Sequence, residues 1–285
     1  MIGKCGWVAL FFVTQMAVAA ESSLEWLHWR NADRATPAGV ALVIHGLNLK
    51  PEKMSSIEDL FLEQGISTLR VSLSGHRNTD IEEFKAVSAD HWLEETRIAY
   101  LSAQAAAQRH QVPLYFAGFS IGALTMMTLQ QTQTATPVKF ERMFLFAPAI
   151  ALQSKTYMLK ALFWNDNLVV PSFSSKEIRV HDGTPVPAYK ALFELVDRLA
   201  GSGFQKPQSP TLVLMDPDDS LVNIDGIRGM IHDHQLASWD LQPVSNRGCS
   251  GDYCNAHYIT EEKAVGASEW LRIKKLVQQK LIRII

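Results

Sequence analysis

The chain has 285 residues, of which 47% are hydrophobic and 20% are charged, a composition ordinary for a folded globular protein. This length can bury one large hydrophobic core or two small ones. The formal net charge of −2 gives no reason to expect nucleic acid or a strongly acidic molecule as a partner.

The first twenty residues are typical of a secretory signal peptide. Lys4 supplies a positive charge, Cys5–Val13 form a short apolar stretch, and Ala17–Ala20 offer a small-residue cleavage site. A retained anchor helix is the alternative, but the apolar stretch is short for a bilayer crossing of about 20 residues. We therefore predict a signal peptide at 1–20 and a soluble mature chain at 21–285, periplasmic or secreted and without stable membrane insertion.

Beyond this segment, apolar runs alternate with stretches of helical periodicity, the pattern of a mostly parallel sheet with helices on both faces. The predicted strands are Val40–Ile44, Thr68–Leu73, Leu114–Ala117, Met143–Phe146 and Thr211–Met215, with Ser238–Val244 as a weaker candidate. The predicted helices are Lys50–Gln64, Asp90–Arg109, Ile121–Gln131, Ile224–His232 and a last one that Thr260 caps and that runs toward Lys280. The sequence thus predicts an α/β fold.

One long segment, between Pro148 and Thr211, interrupts this alternation. It has about sixty residues, whereas crossovers between strands are usually much shorter. Its first half carries the apolar run Leu162-Phe163-Trp164, and its second half has helical spacing over Pro187–Leu199. We predict an insertion at about 150–208 that folds over the sheet edge as a cap.

The motif with the clearest chemical meaning is Gly118-Phe119-Ser120-Ile121-Gly122, which lies between a predicted strand and a predicted helix. In that setting a Gly-x-Ser-x-Gly motif places its serine on a sharp turn, because the glycines permit close approach and a strained backbone. Ser120 is therefore the predicted nucleophile. A serine hydroxyl is a poor nucleophile at neutral pH, so it needs a base and an acid that orients this base.

Candidates for the acid and the base follow downstream, in the chain order Ser, acid, His that this motif implies. Asp216, Asp218 and Asp219 come directly after a predicted strand, which is the correct place for the acid. His257 lies after the last predicted strand and before the final helix, where this order puts the base. His232 and His234 are the alternatives, but they fall within or at the end of the preceding helix.

Together these motifs resemble the α/β-hydrolase superfamily, since His45-Gly46, Ser74-Gly75-His76, the serine motif, the acidic loop and His257 occur in its order. The resemblance covers nearly the whole mature chain. Within the superfamily the chain is most similar to the monoacylglycerol lipase, lysophospholipase and carboxylesterase group, which carries a cap of similar size at the same point. The resemblance implies an α/β-hydrolase fold with an eight-stranded sheet, no metal and no organic cofactor.

The resemblance also implies a reaction and a choice of residues. It implies acyl-enzyme chemistry on carboxylic esters, either monoacylglycerols and lysophospholipids or esters of short-to-medium acyl chains. A peptidase or an acyltransferase that uses the same triad is the alternative. The acidic stretch is similar to the family's Gly-x-x-Asp-x-x-Val loop, which favours Asp219 as the acid. Asp216 stands where glycine is common, so Asp218 remains a competitor and Asp216 a weaker one. The substrate is expected to be a small-molecule ester, and Leu162-Phe163-Trp164 in the cap indicates an apolar acyl chain.

A hydrolase of this kind also needs two backbone N–H groups that stabilise the oxyanion of the tetrahedral intermediate. One is expected from Ile121, directly after the nucleophile. The other is expected from the loop that follows the first apolar strand, where the Leu47 amide is the best candidate.

The cysteines agree with export. If Cys5 leaves with the signal peptide, Cys249 and Cys254 remain as an even pair upstream of the predicted base. In an oxidising compartment such a pair can form a disulfide, with two free thiols as the alternative. Two cysteines alone do not complete a zinc site.

Overall fold

The computed structural model describes residues 24–132, 137–201 and 209–281, so the predicted signal peptide lies outside the described residues. The strands are β1 (Leu27–Arg30), β2 (Gly39–Ile44), β3 (Ile66–Val71), β4 (Leu114–Phe119), β5 (Arg142–Phe146), β6 (Val169–Pro171), β7 (Gly183–Pro185), β8 (Thr211–Met215) and β9 (Trp239–Pro243). The helices are α1 (Ser55–Leu62), α2 (Ile81–Lys85), α3 (Ala89–His110), α4 (Ile121–Thr132), α5 (Val186–Gly201), α6 (Ile224–Asp233), α7 (Glu262–Val265) and α8 (Ala267–Leu281).

The central sheet has the strand order β1-β3-β2-β4-β5-β8-β9, and every neighbouring pair is parallel except β1 with β3. The predicted α/β-hydrolase fold with a mostly parallel sheet is confirmed. The expectation of eight strands is wrong within the described residues, where the sheet has seven. The described segment before β2 contributes one strand, β1, which pairs with β3 at one edge of the sheet, so the count stops at seven.

The sheet's middle strands are wholly buried, and this fixes where a site can form. All residues of β2 and β4 are buried, which explains their continuous apolar sequence. Helices α3, α4 and α5 pack on one another over the sheet, while α1 packs on α8. In the β2–β4 register Ile44 lies opposite Gly118, so the loops after the two strands emerge side by side. Parallel sheets place their ligands at this carboxyl edge.

The final helix differs from its prediction. Gly266 has a φ of +86°, which glycine adopts without steric cost, and it separates α7 from α8. The predicted cap at Thr260 is wrong, because the residue at the start of α7 is Glu261 and no side chain caps that helix end.

The long segment between β5 and β8 contains a 3-10 helix at Ser154–Leu162, the two-stranded hairpin β6–β7 and helix α5. Helix α5 packs against α4 and α3. Residues 202–208, at the end of the predicted insertion, lie outside the described residues, and the cap with its bounds 150–208 stays a prediction.

In the described ranges no helix combines the length and the apolar character that a membrane crossing requires.

Candidate active site

Ser120 occupies a strained turn between β4 and α4. Its φ is +52°, in the left-handed region that non-glycine residues seldom adopt. Its backbone is held on both sides, since its N–H donates to the Phe146 carbonyl at 3.0 Å and its carbonyl accepts from the Ala149 N–H at 3.2 Å. The turn therefore presents the Ser120 side chain at the carboxyl edge of the sheet, as the motif predicts.

The side chains of Ser120, Asp219 and His257 are brought together from three loops. The His257 Nε2 atom lies 2.9 Å from Ser120 Oγ, and His257 Nδ1 lies 2.7 Å from Asp219 Oδ2. With Nδ1 donating to the carboxylate, Nε2 is left as the acceptor for the serine proton. The backbone N–H of His257 donates to Asn255 Oδ1 at 2.9 Å, a contact that sequence reasoning did not identify.

Of the three neighbouring aspartates, Asp219 is the one that contacts His257. Asp216 is buried and shapes the loop, because Oδ1 accepts from the Asp218 N–H at 2.9 Å and Oδ2 accepts from the Asn246 N–H at 2.8 Å. Asp218 itself is exposed. The geometry therefore places the carboxylate of Asp219, and not that of its competitor, beside the histidine.

Asp219 is 2% exposed as a residue and its side chain is wholly buried, so the charge of its carboxylate requires compensation. Burial alone would raise its pKa, but the interactions with His257 and the hydrogen bonds from two backbone amides together outweigh this effect. Oδ1 also accepts from the Leu221 and Val222 amides at 2.8 and 3.0 Å. The pKa of Asp219 consequently lies below its ordinary value, and the group is ionised at neutral pH.

The alternative bases lie elsewhere. His232 and His234 are exposed at the end of α6, and the His232 ring contacts Asp233.

The two residues predicted to supply the oxyanion donors lie on either side of the serine motif's turn: Ile121 follows Ser120 directly, and Leu47 lies in the loop after β2. Ile121 is the first residue of α4, so its N–H has no acceptor within the helix. Leu47 is partly buried in the loop after β2 and lines the cavity together with Ser120. The loop lies tight against the start of α4, because a Cβ atom on Gly122 would come within 2.7 Å of the His45 carbonyl oxygen.

Two buried histidines support the loop after β2. His45 Nδ1 faces the Gly46 carbonyl at 2.8 Å, and its Nε2 accepts from the Leu73 N–H. His76 Nε2 accepts from the Asn48 N–H at 2.8 Å. Burial lowers the pKa of His45 to about 4 and that of His76 well below its ordinary value. Both rings are therefore neutral near pH 7 and act as acceptors that shape the loop.

A cavity of about 170 Å³ opens beside Ser120 and His257. Its apolar wall is formed by Leu47, Leu49, Leu152, Leu159, Ile178 and Leu192. Hydroxyl groups line it as well, from Thr156, Ser172, Ser174, Thr184 and Tyr189. Apart from His257, none of the described residues that line it belongs to a charged type, so the cavity suits an uncharged molecule.

The apolar run Leu162-Phe163-Trp164, from which an apolar acyl chain is predicted, lies away from the cavity beside Ser120. Leu162, Phe163 and Trp164 are not among the residues that line the cavity. Phe163 packs on Phe193 with ring centroids 5.7 Å apart, and Trp164 is 77% exposed. The Phe163 ring therefore packs on α5 and the Trp164 ring faces solvent, and neither lines the cavity.

Cys249 and Cys254 form a disulfide upstream of His257. It closes a loop with a sequence separation of 5, for which the loop-entropy estimate gives about 2 kcal/mol of stabilisation.

Within the ranges that the structure describes, no three His, Cys, Asp or Glu side chains lie close enough together to hold a metal ion.

Several solved structures share this fold. The yeast monoglyceride lipase of Saccharomyces cerevisiae, solved as a soluble variant with a substrate analogue, aligns with a TM-score of 0.71 at 12% identity, covering 89% of this chain and 91% of that one. A structure from the work on the metagenome-derived lipolytic enzymes LipS and LipT aligns with a TM-score of 0.67 at 18% identity. The alignment covers 89% of this chain and 97% of that one. The monoacylglycerol lipase of Paleococcus ferrophilus gives 0.60 at 15% identity, covering 89% and 99%.

These identities are low, so the likeness establishes the fold alone. Among curated proteins, none matches the chain.

A family model gives the firmer result. The model described as "Serine aminopeptidase, S33" matches residues 35–181, which is just over half of the chain and includes the loop after β2 and the Ser120 motif. The chain therefore belongs to the serine aminopeptidase S33 family of α/β hydrolases.

Proposed function

We propose that the protein is a serine hydrolase that cleaves carboxylic esters through an acyl-enzyme on Ser120. The observation that carries the proposal is the continuous pair of hydrogen bonds from Ser120 Oγ through His257 to Asp219, at 2.9 and 2.7 Å. Nucleophile, base and orienting acid lie within the range that general-base activation of a serine requires.

The reaction begins when Ser120 Oγ attacks the ester carbonyl carbon and His257 Nε2 takes the hydroxyl proton. Asp219 stabilises the imidazolium that forms, and the amides of Leu47 and Ile121 donate to the oxyanion. As the tetrahedral intermediate collapses, the bond to the alkoxy oxygen breaks and His257 protonates the departing alcohol. Water, deprotonated by the same ring, then attacks the acyl-enzyme and releases the acid and free Ser120.

The cavity supports an uncharged ester as the substrate. Its apolar wall favours an acyl chain, and its volume is similar to that of a cavity of about 150 Å³ that holds one benzene molecule. An acyl segment of a few carbons therefore fits within it. The free ammonium group of an aminopeptidase substrate would lose its hydration without gaining a carboxylate partner among the described lining residues.

A matched pair of substrates tests this preference. Leucine 4-nitrophenyl ester and 4-methylpentanoic acid 4-nitrophenyl ester share one carbon skeleton and differ by the ammonium group. The uncharged ester is expected to have a kcat/KM higher by roughly 10²-fold, the cost of burying an unpaired charge. Both rates are measured at steady state at pH 7 and corrected for spontaneous hydrolysis. A higher kcat/KM for the leucine ester, together with cleavage of leucine 4-nitroanilide, would favour a peptidase instead.

We also propose that the protein is exported, with its signal peptide removed at the end of 1–20. The disulfide between Cys249 and Cys254 supports an oxidising destination, since such bonds are rare in the cytosol. Expressed with its own first twenty residues in a bacterial host, the protein is expected in the periplasm or the medium. Its intact mass should correspond to a chain that begins at Ala20 or Glu21. A cytosolic product of full mass would contradict export.

A further inference from the structure

Asn48 lies at the centre of the turn that carries one proposed oxyanion donor. The Leu49 N–H donates to the Gly46 carbonyl at 3.3 Å and closes a four-residue turn, with Leu47 and Asn48 as its central residues. Asn48 has a φ of +53°. A turn with a positive φ at its third position is typical of glycine or asparagine there. The conformation of Asn48 therefore helps to set the peptide planes on both sides of Leu47.

All four polar groups of Asn48 are occupied. Its backbone N–H donates to His76 Nε2 at 2.8 Å, and its backbone carbonyl accepts from the Val180 N–H at 3.2 Å. Its side chain pairs with the backbone of His181 in both directions: Oδ1 accepts from the His181 N–H at 2.9 Å, and Nδ2 donates to the His181 carbonyl at 3.0 Å. The residue is 7% exposed, so leaving any of these groups unpaired would be costly.

Residues 172–181, which we call the strap, belong to the long segment between β5 and β8. Ser172, Ser174 and Ile178 of the strap line the cavity beside Ser120. A further hydrogen bond joins the strap to the chain just after the turn: the Lys50 N–H donates to the Ile178 carbonyl at 2.8 Å. Asn48 thus connects a wall of the cavity to the turn that holds Leu47.

A third segment completes the support of this turn. The His181 Nε2 atom lies 2.9 Å from the Gly75 carbonyl oxygen. Gly75 precedes His76, the residue whose ring accepts from the Asn48 backbone N–H. The Phe84 ring lies between the two histidines, with centroids 4.9 Å from each. The turn, the loop at 75–76 and the strap are therefore held as one unit with Asn48 at its centre.

We infer that Asn48 is a positioning residue: it fixes the Leu47 amide toward the oxyanion and holds the strap as a wall of the substrate cavity. This inference rests on the proposed ester hydrolysis at Ser120. Asn48 acts on the transition state indirectly, by holding the Leu47 N–H in place. A displaced oxyanion donor weakens binding of the charged intermediate more than binding of the neutral ester.

Two substitutions separate the backbone contribution from the side-chain contribution. Asn48→Ala removes both bonds to His181 and places a residue that disfavours positive φ at the turn, and it is expected to lower kcat by roughly 10²-fold, as a donor misplaced by about 1 Å does. Asn48→Gly keeps the backbone conformation and loses the side-chain bonds, so its kcat should lie between those of Asn48→Ala and the unaltered protein. KM for a butanoate ester should change less than kcat in both.

The rates are expressed per active serine, counted by titration with a fluorophosphonate, so that misfolded protein does not enter them. A trifluoromethyl ketone, which forms a tetrahedral oxyanion on the serine, should bind Asn48→Ala more weakly by about the factor lost in kcat/KM. The control is Asn165→Ala, which removes another asparagine that accepts from a backbone amide, Asn167 N–H, outside the cavity lining. Its kcat per active serine should equal that of the unaltered protein.

The outcomes distinguish this inference from the proposed function. If the unaltered protein cleaves the ester and both Asn48 variants retain its kcat per active serine and its ketone affinity, Asn48 has no positioning role. A loss that appears only in melting temperature or in the active fraction also overturns the inference, since it makes Asn48 purely structural. An unaltered protein without esterase activity contradicts the proposed function itself.

Discussion

Replacing Ser120 with Ala is expected to lower kcat for ester hydrolysis by on the order of 10⁶, the scale that loss of a serine nucleophile has in a triad hydrolase. The substitution removes Oγ, the atom that lies 2.9 Å from His257 Nε2 and that forms the acyl bond in the proposed mechanism. It removes one hydroxyl and leaves the backbone bonds of Ser120 to Phe146 and Ala149 available. The variant should therefore fold. Its residual rate is measured in a stopped assay with a radiolabelled ester of high specific radioactivity.

The matched control is Ser102→Ala, which changes a serine inside helix α3 away from the cavity lining. Alanine is favoured within a helix, so this variant should keep full activity. Retention of more than about 1% of the ester activity by Ser120→Ala would contradict a nucleophilic role, because such activity exceeds what the remaining site provides.

Replacing Asp219 with Asn is expected to lower kcat by about 10⁴, the second-largest effect. The amide has nearly the size of the carboxylate but carries no charge, so it cannot stabilise the His257 imidazolium. If its NH₂ group faces Nδ1, the ring is held with its proton on Nε2, the wrong position for accepting a proton from Ser120. The remaining amide oxygen can still accept from the Leu221 and Val222 N–H groups, which limits the loss of stability.

Asp218→Asn serves as the comparison. Asp218 is the exposed neighbour of Asp219 and carries the same carboxylate, but Asp219 is the one that contacts His257. Its kcat should remain within about twofold of that of the unaltered protein, because surface substitutions of this kind have small effects. Loss of activity in Asp218→Asn with normal turnover in Asp219→Asn would reverse the assignment of the acid.

The central part of the fold was predictable because its signals are local. The strand at Val40–Ile44 and the helix that begins at Ile121 lie close to β2 and α4, since buried parallel strands read as continuous apolar runs and the serine motif marks a strand-to-helix turn. The proximity of Ser120 and His257 was predictable for the same reason: the motif and the chain order together restrict where each can lie. The choice of Asp219 required resemblance to the family, since spacing alone does not separate three neighbouring aspartates.

Other features depend on contacts that sequence does not reveal. Strand β1 is a half-exposed edge strand of mixed polarity, so it lacks the apolar run that marks the others. The division of the last helix depends on the positive φ of Gly266. The network around Asn48 joins this residue to His181 across 133 positions of the chain. No local pattern marks such a pair, and it becomes visible only when the strap lies against the turn.

Reaction of the intact protein with a fluorophosphonate probe tests the central claim most directly. The proposed mechanism predicts a single adduct, which peptide mass spectrometry places on Ser120, with much slower labelling of Asp219→Asn and none of Ser120→Ala. An unlabelled native protein that is shown to be folded, or equal labelling of Ser120→Ala, would contradict the assignment of Ser120 as the nucleophile.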